Sequence, residues 1–135
     1  MNNQFLPYEP SFDLKELGFN EECLATYVKH EGKDFRFDIQ EQSGLSWSSV
    51  TNSELIGKHC TAPLYQQVFK WFRDKKILGE VRPIDDWNMW GFSITMEDGM
   101  SPFFVAHSSI YTEYNTYEEA ELECIKTMIK ISKTD

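Results

Sequence analysis

The sequence predicts an α+β protein: an antiparallel sheet built from two hairpins, packed by two long amphipathic helices plus a short N-terminal helix. Three observations predict it. Apolar residues alternate with polar ones at Phe35, Phe37 and Ile39, and Trp90, Phe92, Ile94 and Met96 repeat the same spacing. That period of two puts one side of a strand against a core and the other in water. Two further stretches, 61–76 and 116–132, carry their apolar residues at helical spacing. Glycine-containing turn sequences, "HEGKD" and "EDGM", separate the paired strand candidates.

The elements follow in order. Residues 1–10 read as an extended N-terminal arm. "SFDLKELGF" reads as a short helix, with Ser11 or Asp13 as its cap and Gly18 as its stop. "CLATYVKHEGKDFRFDIQ" reads as two strands, Gly32 supplying the turn conformation. Residues 41–60 show no sustained period and read as an irregular loop, with Trp47 as its large aromatic. "TAPLYQQVFKWFRDKK" then starts a helix, with Thr61 as N-cap and Pro63 in the first turn, where a missing N–H costs little. At about 100° per residue, Leu64, Val68, Trp71 and Phe72 fall together, with Tyr65 and Phe69 on one flank. "NMWGFSITM" and "SPFFVAHSS" make the second hairpin around Asp98-Gly99. In the last helix Thr116 and Glu119 have capping-box spacing, and Tyr117, Ala120, Cys124, Met128 and Ile131 form a stripe that Ile125 and Ile129 widen.

A chain of 135 residues is one domain by the usual size prior, 1–135, and its 41% hydrophobic content excludes a disordered protein. No run of roughly 18–20 apolar residues suggests a membrane span, and "MNNQFLPYEP" has no signal-peptide pattern. Cys23, Cys60 and Cys124 are odd in number and widely spaced, which predicts reduced thiols and a cytoplasmic location. The net charge of −9 argues against direct binding of nucleic acid, which needs a basic footprint.

Few residues form a pattern with chemistry. No glycine-rich phosphate loop or nucleophile elbow occurs. His59-Cys60 is half of a zinc ligand pair, so neither a metal nor another cofactor is expected. The same pair is the best thiol-enzyme candidate, because a helix start would lower the pKa of Cys60. Adjacent residues seldom face each other, which favours an inert thiol. Asp85-Asp86 and Glu97-Asp98 sit in turn sequences, and turn chemistry explains them. The binding candidates are aromatic: Trp47 in the loop, Trp87 at the start of a strand, and Tyr65 on the flank of its helix.

"LKELGF", "APLYQQVFKWFR" and "TYEEAELECI" resemble, in order and spacing, a family of small uncharacterised proteins of gut bacteria and their phages or mobile elements. The resemblance runs from Leu14 to Ile131. It implies the same fold and a phage-associated origin, and it brings no activity to map onto a residue. The expected function is a non-catalytic binding or accessory protein whose partner is another protein. The alternative is an acidic inhibitor that mimics nucleic acid or caps a basic host protein surface, with the Cys60/His59 enzyme third.

Overall fold

The computed structural model describes residues 4–29, 35–39, 42–43, 46–47, 49–84, 88–97, 102–107 and 114–133. The α+β class is as expected. The chain forms two compact units, Met1–Leu64 and Tyr65–Asp135. Each predicted hairpin has its own sheet, one in each unit.

The first unit opens with helix α1 (Tyr8–Glu16), followed by strands β1 (Ala25–Lys29) and β2 (Phe35–Ile39). Short strands β3 (Gln42–Ser43) and β4 (Ser46–Trp47), a 3-10 turn (Asn52–Glu54) and β5 (Cys60–Thr61) complete it. Helix α1 starts three residues ahead of the expected Ser11 cap. Pro10 is harmless there, since first-turn N–H groups have no partner within the helix. Its end is as expected. Gly18 takes φ of 101°, its N–H bonds the Lys15 carbonyl, and the Phe19 N–H reaches back to Leu14. Those two bonds and the buried Leu14–Phe19 pair make a Schellman stop.

Strand β1 lies between β2 and β5, antiparallel to both. Tyr27 sits opposite Phe37 on one side and Cys60 on the other. Phe5, Ala25 and Ala62 form a buried cluster against which Tyr27, Phe37 and Leu64 pack. Thr61 is therefore a strand residue paired with Thr26, not the N-cap of the next helix. Its N–H is held by the Asn52 Oδ1 at 2.9 Å, which commits the backbone to the sheet. The "HEGKD" turn lies outside the described residues.

The second unit contains α2 (Tyr65–Asp74), β6 (Ile77–Ile84), β7 (Met89–Glu97), β8 (Pro102–His107) and α3 (Tyr117–Lys133). Strand β7 is central, and both helices pack on the sheet and on each other. Tyr65, Val68 and Phe72 form the buried face of α2, and Ala120, Cys124, Ile125, Met128 and Ile129 that of α3. The Thr116 hydroxyl caps the Glu119 N–H at 3.1 Å, while Glu119 returns its bond to the N–H of Asn115 rather than of Thr116. The Asp98-Gly99 turn lies outside the described residues.

Strand β6 was not foreseen, because Gly79 and Pro83 both break a strand pattern. Each has a structural reason to be there. Trp90 exchanges both backbone bonds with Tyr114, so its polar groups turn away from β6. Pro83, opposite Trp90, then points its nitrogen away from β7, where no ladder bond is lost. At Gly79 a Cβ would come within 2.9 Å of the Cys124 Sγ and the Met128 Sδ. The missing side chain is what lets α3 lie close on the sheet.

Candidate functional site

Two arrangements in the described residues stand out, one in each unit. In the first unit, α1 presents Tyr8, Phe12 and Lys15 along one face, at spacings of four and three. Tyr8 stacks on Phe12 at 6.0 Å and meets the Tyr27 ring edge-on at 5.6 Å. The Lys15 ammonium donates to three backbone carbonyls: Leu55 at 3.0 Å, Gly57 at 3.0 Å and His59 at 2.6 Å. The Tyr8 hydroxyl donates to a fourth, that of Lys58, at 3.0 Å. Together they clamp the turn Ile56–His59, closed by the His59 N–H on the Ile56 carbonyl and by Gly57 at φ of 63°. At its tip Ile56 is 82% exposed.

The polypeptide leading into this turn is equally well held. Asn52 is buried and spans two strands of chain, its Nδ2 donating to the Phe19 carbonyl at 2.8 Å and its Oδ1 accepting from Thr61. Asn20 accepts from the Ser53 N–H at 2.7 Å, and Cys23 and Val50 exchange backbone bonds. Thus 49–60, the second part of the stretch expected to be irregular, is fixed by side chains from elsewhere in the unit.

Cys60 sits on β5 instead of at a helix start. Burial pushes its thiol up to about 12; Lys15 pulls it down by less, and Cys23 adds to the rise. A thiol so protonated and closed to solvent is a poor nucleophile at neutral pH. His59 beside it is half-buried. All three cysteines are buried and outside any disulfide. Among the described residues, no group of three or more His, Cys, Asp or Glu could hold a metal ion, and no helix is long and apolar enough to cross a membrane.

In the second unit, Tyr65, Trp90, Tyr117, Glu118 and Glu121 are linked partly by ring contact and partly by charge: Trp90 packs on Tyr117, and Glu121 and Glu118 act electrostatically on Tyr65. Helix α3 supplies three of them within its first two turns, β7 supplies Trp90, and α2 begins with Tyr65. The rings of Trp90 and Tyr117 meet at 5.2 Å and 88°, and Tyr117 is 42% exposed. Tyr117 and Glu121, one turn apart on α3, act on each other electrostatically: burial and then Glu121 raise the Tyr117 pKa, and Tyr117 lowers that of Glu121. Tyr65 is only 8% exposed, and burial, Glu121 and Glu118, in that order, raise its pKa. Glu121 is raised as well, first by burial and then by Glu118, against the lowering effect of Tyr117.

A carboxyl group raised above its usual value of 4.5 stabilises the fold only while it is protonated. Its contribution is complete below that value and is lost as pH rises through the folded-state value. Glu121→Gln keeps the shape without the charge. It should raise the melting temperature at pH 7, and the gain should vanish below about pH 4. A gain that persisted in acid would mean that charge is not the cause.

Of the residues singled out from sequence, Tyr65 belongs to this group. Trp47 pairs with Gln42 in the backbone of β4, but its side chain lies outside the described residues, as does the whole of Trp87. Glu118, Glu121 and Lys15 were missed. The two glutamates looked like ordinary acidic residues on a helix flank, and nothing local to Lys15 points to acceptors 40 to 44 residues away.

No protein-family model, curated protein or solved structure matches the chain. Function must therefore be argued from the site.

Proposed function

We propose that this is a small, non-catalytic binding or accessory protein of phage or mobile-element origin that acts in the cytoplasm through contact with another protein. One observation carries the reading: the clamped turn that presents Ile56. Four side-chain bonds fix the carbonyls of residues 55, 57, 58 and 59, and the largest apolar group of the turn is left in water. A contact residue held this way loses little freedom on binding, and an apolar pocket on the partner would gain the full side chain. The buried thiol of Cys60 supports the non-catalytic side of the reading.

Ile56→Ser tests it. Because the side chain is exposed, the melting temperature should stay within about a degree of the wild type. Retention of a partner from host lysate should fall by tenfold or more, about 1.4 kcal/mol, as for an interface anchor. Equal retention of every captured protein by the two forms would overturn the reading.

The second reading is the acidic inhibitor that mimics nucleic acid or caps a basic protein surface. It is favoured by the charge of −9 and by the paired Glu118 and Glu121. Salt separates the two. A charge-driven complex weakens steeply as ionic strength rises, whereas an apolar contact through Ile56 does not.

A further inference from the structure

We propose that the backbone carbonyls of Leu55, Gly57 and His59 form a site for an ammonium-type cation, and that the Lys15 side chain is the ligand this chain supplies to it. Such a site belongs to the turn itself and exists whether or not Ile56 contacts a partner.

The first ground is convergence. The Lys15 ammonium nitrogen lies 3.0 Å from the carbonyl oxygens of Leu55 and Gly57 and 2.6 Å from that of His59. These are alternate residues, and the carbonyls between them are engaged elsewhere. That of Ile56 accepts the His59 N–H, and that of Lys58 accepts the Tyr8 hydroxyl. Carbonyl oxygens gathered about one point repel each other, since each carries partial negative charge, and a cation between them reverses the sign of the interaction.

The second ground is that the turn is held by bonds in which Lys15 has no part. Gly57 takes φ of 63°, which glycine adopts at little cost, and the His59 N–H closes the turn at 3.3 Å. On the incoming side the buried Asn52 ties the chain to Phe19 and Thr61, and the Ser53 N–H donates to Asn20. On the outgoing side Cys60 pairs with Tyr27 of β1. With both ends anchored, removing the ammonium loosens the turn without releasing it, and the three carbonyls stay close enough to be refilled.

The acceptors set the class of ligand. An –NH₃⁺ group matches three oxygens with three donors, whereas a quaternary ammonium has none to offer. A hard dication such as calcium takes roughly six to eight oxygens, more than these carbonyls supply. Helix α1 fills the site from 40 to 44 residues away, so changing Lys15 empties it without altering the turn sequence. Methionine matches the lysine side chain as far as the carbon that bears the ammonium. Lys15→Met therefore leaves room for the nitrogen alone, while Lys15→Ala leaves room for a propylammonium ion.

Both full-length variants should be titrated near neutral pH, at equal ionic strength, with ammonium, n-propylammonium and tetramethylammonium chloride. Hydrogen exchange at the His59 amide reports occupancy, and exchange in β1 reports any general effect of salt. Exchange at His59 should be about tenfold faster in each variant than in the wild type. Ammonium should slow it again, saturably, in Lys15→Met, and n-propylammonium should be the more effective ion in Lys15→Ala. Neither should change the wild type, whose site is filled, and tetramethylammonium should have no effect on any of the three. If Lys15→Ala folds only with an added cation, folding with n-propylammonium but not with tetramethylammonium is the same supporting result. Equal rescue by all three ions, an equal response in the wild type, no rescue in Lys15→Met, or no loss on removing Lys15 would overturn the proposal. The capture experiment with Ile56→Ser reads partner binding instead, so the two can fail separately.

Discussion

Phe72→Ala should cost about 3–5 kcal/mol and leave the protein marginal, because typical domains hold only about 5–15 in total. Phe72 is fully buried on the inner face of α2, between Val68 a turn before it and the sheet strand β6 on which the helix packs. Its ring also meets Trp71 edge-on at 5.1 Å. Truncation removes the transfer energy of a whole aromatic side chain and leaves a cavity lined by groups that cannot all move in. Phe72→Leu, which keeps most of the volume, should cost clearly less. Urea denaturation followed by circular dichroism separates the three proteins by midpoint. An unchanged midpoint for Phe72→Ala would mean that α2 does not rest on this residue.

The second large effect is expected at Lys15. Lys15→Met keeps the aliphatic stem along α1 but removes the ammonium from the carbonyls of Leu55, Gly57 and His59. The Gly57 carbonyl is at the surface and water can replace the lost donor. Those of Leu55 and His59 are partly buried, and an unsatisfied acceptor there is costly. The net loss should be about 2 kcal/mol, allowing for that exposure. It should be local as well as global, with faster hydrogen exchange at residues 55 to 61 than at β1. Lys15→Arg should recover only part of the loss, since a planar guanidinium cannot converge on three carbonyls as an ammonium does. If Lys15→Met melts and exchanges like the wild type, the clamp does not hold the turn, and the case for Ile56 as a preorganised contact falls with it.

Much of the fold was legible in the sequence. The inner faces of α2 and α3 largely followed from spacing, and Phe72 and Ile125 are both fully buried as that spacing requires. Tyr117, expected in the α3 stripe, is exposed at the first turn where the helix begins. The alternation in β7 placed Phe92 and Ile94 inside, and Gly18 marked the end of α1. These are local properties: a period of 3.6 or 2, or a residue free to take a positive φ, says where a segment must turn its apolar side. They hold whatever the neighbours are.

Everything that makes a site depended on neighbours far along the chain. Strand β6 reads as broken at Gly79 and Pro83 until β7 and α3 are in place, when the first proves to be room for Cys124 and Met128 and the second sits where no ladder bond is needed. Thr61 has every local mark of a helix cap, but pairing with Thr26 and the bond from its N–H to Asn52 hold it in a strand. Lys15 finds its acceptors, and Tyr65 its two glutamates, only through the fold. Composition could state the net charge of −9, but not that two of its carboxylates, Glu121 and Glu118, would act on a buried tyrosine of another helix. Hydrophobic pattern is a property of a segment. Hydrogen-bond and charge partners are properties of the packed chain, and only the tertiary structure chooses them.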